Sequence, residues 1–139
     1  MSHPPNHDLV ELGRTEFYSR ARSFHYAFEG WWFVIRTQHN AWIHGLVSIA
    51  VFIVASWLKL PRHDWAILVL AIMAVWMAEF MNTAIEAVVD LTMPEPHPLA
   101  KLAKDVAAAA VLVGAIGAAI IGLLLMGPPL WEKLAAISF

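Results

Sequence analysis

The sequence predicts an all-α membrane protein, with one N-terminal amphipathic surface helix followed by three transmembrane helices. Three observations predict it. The 139 residues are 60% hydrophobic and only 14% charged, with a mean hydropathy of +0.62, and a soluble domain of this length cannot bury so much apolar surface. Proline-bearing turns at residues 61–64 and 92–98 divide the apolar part into three runs, each long enough to span a bilayer. The residues before the first run are aromatic and basic at helical spacing, a pattern suited to a helix lying in the headgroup layer.

In chain order, residues 1–13 are polar, with Pro4, Pro5 and Asn6, and read as a flexible tail. They lack the basic and then apolar pattern of a cleavable signal peptide. His3 and His7 are metal-capable, but tail histidines are more often solvated. Residues 14–38 form the expected surface helix. Phe17, Phe24, Phe28, Trp31, Trp32 and Ile35 recur near helical spacing, interrupted by Arg14, Arg20, Arg22, Glu29 and Arg36.

The first span is expected at residues 41–60, with His44 and Ser48 one turn apart as its polar exceptions. Trp57 and Trp65 flank the next turn at the level where indoles favour the interface. The second span is expected at residues 65–90. The third is expected at residues 99–126, where Ala110, Gly114, Ala118 and Gly122 repeat every four positions, the small-residue spacing of close helix packing in lipid. Gly127, Pro128 and Pro129 are expected to end it, leaving residues 127–139 as an interfacial tail. Arg14, Arg20, Arg22, Arg36, Lys101 and Lys104 fall on one side of the membrane, and Lys59, Arg62 and Lys133 on the other. The positive-inside rule then predicts a cytoplasmic N-terminus.

The chemistry concentrates in EFMNTAIEAVVD. Glu79, Asn82, Glu86 and Asp90 stand at i, i+3, i+7 and i+11, so one helical face carries all four. Glu79 falls roughly 20 Å into the span and Glu86 near its far surface. An intramembrane carboxylate reads by default as functional; the plainer reading is an interhelical hydrogen bond. Glu86 and Asp90 suit Mg²⁺, which takes carboxylate and phosphate oxygens together. Lys104 can hold a phosphate as a point charge, though Lys101 and Lys104 also fit ordinary positive-inside flanking. Glu79, kept from water, suits a proton acceptor. Together these residues outline phosphoryl transfer at an interface from a nucleotide to a lipid hydroxyl. No Walker loop is present, no cysteine supplies a thiolate, and the net charge of -2 argues against nucleic acid.

The runs AEFMNTAIEAVVD and PHPLAKLAKDVAAAAVL, with SFHYAFEGWW and HNAWIH upstream, closely resemble the small bacterial membrane kinases of the diacylglycerol kinase and undecaprenol kinase family. The resemblance covers about residues 23–122, and the HPLAK loop is more similar to the undecaprenol kinase branch. It implies a homotrimer in the bacterial inner membrane, with ATP as phosphoryl donor, Mg²⁺ as cofactor and a lipid alcohol as substrate. Undecaprenol is the first expectation and diacylglycerol the alternative.

Residue by residue, the resemblance implies that Glu79 is the catalytic base, meeting the substrate, with Asn82 supporting it. Glu86 matches a metal-binding carboxylate that also faces the nucleotide. Tyr26, Glu95, His97, Lys104 and Asp105 match nucleotide contacts, and Ser23, Arg22 and Arg36 lie near the lipid headgroup. Two positions depart from the family pattern. Gln38 stands where a second metal carboxylate is expected, and Pro96 replaces an aromatic residue of some relatives. Gln38 keeps a second class of reading open, a non-catalytic membrane subunit that retains the fold. A channel fits less well, because residues 65–78 carry no polar side chain besides the indoles of Trp65 and Trp76.

Overall fold

The computed structural model describes residues 7–136, with side chains from residue 22 onward. It divides after Thr37 into two compact units, each described here by itself. Among the described residues there are four helices and no strand.

The first unit is α1, His7–Thr37. Its backbone is helical from His7, inside the stretch expected as a tail; residues 1–6, with His3, lie outside the described residues. Phe24, Phe28 and Trp31 follow at i, i+4 and i+7, all exposed, and give the helix an apolar stripe. Polar groups pair along the same helix. His25 Nε2 lies 3.2 Å from Glu29 Oε1, and the Arg36 guanidinium stacks 4.7 Å over the Trp32 ring.

The second unit contains α2 (His39–Leu58), α3 (Arg62–Thr92) and α4 (Pro98–Ala135). All three are long and apolar enough to cross a membrane. Their outer faces show why lipid is the matching solvent: Leu70, Met77, Val113 and Leu123 are all more than 60% exposed, which is costly in water and neutral among acyl chains.

The turn between α2 and α3 is three residues long and tightly specified. Lys59 takes a left-handed conformation at φ 56°. Its N–H bonds the Ser56 carbonyl, and the Leu60 N–H bonds the Ala55 carbonyl. This is the Schellman pattern that satisfies helix-end carbonyls. Pro61 then caps α3 with Asp64 in its first turn. Below this turn, Ala55, Leu60 and Leu68 form the apolar core with Trp65, Ile121 and Leu125 against them, and Phe52 stacks on Trp65.

α3 packs most extensively on α4, and α2 rests on both. The buried face of α3 is one stripe: Leu68, Ala71, Val75, Glu79, Asn82 and Thr83. Facing it on α4 are Ala107, Val111 and Gly122, with Gly114 between them. A methyl group at Gly114 would already touch the Val75 backbone, 3.8 Å from its Cα. The small-residue repeat therefore meets α3 closely at Gly114, and Gly122 is buried. Ala110 is exposed and lies off that seam.

One boundary differs from expectation. α4 does not stop at Gly127 but runs through Pro128 and Pro129 to Ala135. The prolines remove two amide donors, yet a helix that unwound there would leave more backbone groups unbonded in an apolar setting. Continuing the helix also carries Lys133 to the end of α2. There Lys133 Nζ donates to the Trp57 carbonyl at 2.6 Å and sits 4.3 Å over the Trp57 ring.

Candidate active site

The polar groups that sequence reading singled out on α3 are ordered by depth. Glu79 is fully buried and is the largest fully buried side chain in the described chain. Asn82 is 5% exposed, Glu86 is half-buried and Asp90 is exposed. The stripe continues the same helical seam that packs Leu68 and Val75, so the packing that buries those residues buries Glu79 too.

Glu79 lacks any hydrogen-bond partner for either carboxylate oxygen. Thr83 Oγ1 bonds its backbone carbonyl at 2.9 Å and leaves the side chain untouched. Asn82 Nδ2 donates to Glu86 Oε1 at 3.0 Å. The amide expected to support Glu79 therefore braces Glu86, one turn further out, because residues at i and i+4 meet on a helix face. Its own Oδ1 is buried and unpartnered.

The sequence noted His44 without assigning it to the site. It sits on α2 with Nε2 3.8 Å from Glu79 Oε2, too far for a hydrogen bond. That Nε2 is also buried without a partner. Ser48, one turn on, donates to the His44 carbonyl at 2.6 Å and accepts from Trp76 Nε1 at 3.3 Å. Of the polar exceptions on α2 and α3, Ser48 and Trp76 thus satisfy each other, while His44 Nε2 and the Glu79 carboxylate do not. The available signal was the i, i+4 spacing of His44 and Ser48, but a sequence does not show that their face meets α3.

At the outer end of the bundle, Lys104 of α4 pairs with Asp90 of α3. Asp105 pairs with Lys101 on its own helix. The loop with Pro94 and Pro96 turns the chain from α3 into α4, and His97 caps α4, its Nδ1 accepting from the Leu99 N–H at 3.2 Å with Pro98 in the first turn. Glu95, His97, Lys101, Lys104, Asp105 and Asp90 line one pocket of about 660 Å³. The expected nucleotide contacts Glu95, His97, Lys104 and Asp105 are therefore brought together, one helical turn outward from Glu86. Tyr26, Ser23, Arg22 and Arg36 lie on α1, in the other unit. Tyr26 is exposed there, with its ring 6.0 Å from that of His25.

Among the described residues, no group of three or more His, Cys, Asp or Glu side chains is placed to hold a metal by itself. A half-buried Glu86 with one oxygen fixed by Asn82 nonetheless fits Mg²⁺, which is commonly held by one or two carboxylates plus substrate phosphates. Gln38 is the N-cap residue of α2 and does not use its side chain as the cap.

Comparison with known proteins gives a consistent result. The family model for prokaryotic diacylglycerol kinase matches residues 25–126. A diacylglycerol kinase of Synechocystis is 47% identical over 109 residues, 78% of this chain and 62% of that protein. An undecaprenol kinase of Bacillus subtilis is 42% identical over 117 residues, 84% of this chain and 95% of that protein. A diacylglycerol kinase of Escherichia coli K12 is 37% identical over 87 residues, 58% of this chain and 71% of that protein. The match thus spans less than two-thirds of the Synechocystis protein and nearly all of the Bacillus one.

Proposed function

This chain belongs to the prokaryotic diacylglycerol kinase family, and on that premise we propose that it is an ATP-dependent kinase of a membrane lipid alcohol, with undecaprenol as its substrate. The observation that carries the chemistry is Glu79, a fully buried carboxylate with neither oxygen hydrogen-bonded. A structural carboxylate would be hydrogen-bonded at that depth; an unpaired one is suited to receive a proton from a substrate.

The ATP phosphates lie in the pocket between the C-terminal end of α3 and the N-terminal end of α4. Lys104 is the phosphate ligand. Its exposed pair with Asp90 is worth no more than about 1 kcal/mol, so a polyphosphate displaces the carboxylate readily. Glu86, held by Asn82, is the residue that would carry Mg²⁺, with Gln38 as a neutral second ligand. The ion supplies charge neutralisation at the transferring phosphoryl group. Glu79 lies about 10 Å further along the axis. The lipid hydroxyl enters between base and phosphate, and most of the rate comes from positioning and charge.

Tyr26 on α1 is a further nucleotide contact, and Ser23, Arg22 and Arg36 serve the lipid headgroup. The enzyme works as a homotrimer in the bacterial inner membrane with α1 on the cytoplasmic side, which is where ATP is. Undecaprenol is preferred because the similarity to the Bacillus undecaprenol kinase runs through 95% of that protein. Diacylglycerol is the second reading, favoured by the 47% identity to the Synechocystis protein.

The test is phosphate transfer from Mg-ATP in mixed micelles holding both lipids, with Glu86→Ala alongside. Transfer mainly to undecaprenol, lost in the variant, supports the proposal. Transfer mainly to diacylglycerol replaces the substrate, and transfer to neither from folded protein overturns the kinase reading.

A further inference from the structure

Four buried side-chain atoms lack a hydrogen-bond partner among the described residues: His44 Nε2, Glu79 Oε1, Glu79 Oε2 and Asn82 Oδ1. They belong to one neighbourhood. Asn82 follows Glu79 by three positions on α3, and His44 reaches across from α2 to within 3.8 Å of the Glu79 carboxylate. Buried polar atoms are almost always satisfied. A cluster of them with both donor and acceptor capacity is the complement of a small hydrogen-bonding group. The 3.8 Å separation is one that a single oxygen about 2.8 Å from each partner would bridge. A hydroxyl is the group that needs one acceptor for its proton and one donor for its oxygen.

His44 is held for such a task. Its ring meets Trp76 edge-on, with centroids 6.4 Å apart, and the Trp76 indole is pinned to Ser48. His44 also lines a cavity of about 590 Å³ between α2, α3 and α4, whose other lining residues are apolar apart from Ser48 and Trp76. Those two already bond each other, and His44 Nε2 is buried without a hydrogen-bond partner. Glu79 does not line the cavity.

Resting on the kinase reading above, we propose that His44 is a second hydroxyl-binding group of the active site. With its proton on Nε2, the imidazole donates to the oxygen of the lipid alcohol while the hydroxyl donates to Glu79. In the transfer step the O–H bond breaks and its proton passes to the Glu79 carboxylate. The freed electron pair forms the bond to the γ-phosphorus of ATP. The bond from that phosphorus to the β-phosphate oxygen breaks, and ADP leaves with its electron pair. His44 steadies the negative charge on the attacking oxygen and aims it, acting as a preformed donor where charge develops.

The test compares His44→Gln, which keeps an amide donor, with His44→Leu, which keeps bulk and loses the donor. Both are assayed in mixed micelles with lipid alcohol and Mg-ATP, beside wild type. A donor of this kind contributes about 100-fold or more to kcat. His44→Leu should therefore lose about 100-fold in kcat with KM for ATP unchanged, and His44→Gln should recover at least about tenfold of that loss. Circular dichroism in detergent checks that both variants are folded. Should His44→Leu not fold, a His44→Gln kcat below about 1% of wild type, or a raised KM for ATP, overturns the proposal. Activity in His44→Leu equal to or above that of His44→Gln assigns His44 to packing and overturns it as well. Wild-type protein that phosphorylates no lipid alcohol overturns the kinase reading instead, so the two failures are distinguishable.

Discussion

Replacing Glu79 by methionine should stabilise the protein while abolishing its activity. Glu79 is fully buried, and both carboxylate oxygens lack hydrogen-bond partners. Leaving a buried polar group unsatisfied costs about 1–3 kcal/mol. Methionine has a similar length, carries no strong hydrogen-bonding group, and adapts to irregular space. Glu79→Met should therefore raise the unfolding free energy by about 1–3 kcal/mol, a 5- to 150-fold shift in the folding equilibrium. Glu79→Gln keeps polar atoms in the same place and should change stability by less than about 0.5 kcal/mol, a typical measurement scatter. Both variants should lose transfer, since neither side chain accepts the hydroxyl proton. Stability is read by reversible unfolding in detergent micelles, following helix content as the denaturing detergent fraction rises. A Glu79→Met protein less stable than wild type would refute the reasoning, because the carboxylate would then be a paired structural element. Near-normal transfer by Glu79→Gln would remove Glu79 from the role of base.

Other outcomes follow from the same geometry. Asn82→Ala deletes the 3.0 Å bond to Glu86; a hydrogen bond to a charged group is worth about 1.5–3 kcal/mol, so the Mg²⁺ concentration for half-maximal activity should rise about tenfold or more, and an unchanged Mg²⁺ titration would separate Asn82 from the metal. Lys104→Met should raise KM for ATP by about tenfold through loss of a charged phosphate contact, with helix content by circular dichroism unchanged. Gly114→Ala should be tolerated, because its Cβ meets the Val75 backbone at ordinary contact distance. Gly114→Leu drives further carbons into that backbone and should cost about 1–3 kcal/mol in the same unfolding assay.

Much of this protein is legible in its amino-acid order because lipid simplifies the physics. Every backbone group must be bonded within its own helix, so apolar run length and proline position largely dictate the three spans. The carboxylate stripe of α3 is equally local, since helical spacing alone places Glu79, Asn82, Glu86 and Asp90 on one face. The motif blocks around Glu79 and Lys104 carried the family resemblance for the same reason: their residues are near neighbours in the chain. The end of α4 was misjudged because proline is a local signal, while Lys133 reaching Trp57 is a contact between residues 76 positions apart.

Only the tertiary structure decided which polar groups meet. Spacing put His44 and Ser48 on one face of α2, but the rotation of α2 against α3 points His44 at Glu79 and Ser48 at Trp76. Spacing put Asn82 within reach of both Glu79 and Glu86, and the side-chain torsion chose Glu86. Lys104 and Asp90 are brought together by the proline loop that folds α4 back onto α3. A single helix sets its contacts every three to four residues, so its faces can be read along the chain. The partner across a helix interface depends on the crossing geometry, which is a sum over all packed side chains and is carried by none of them alone.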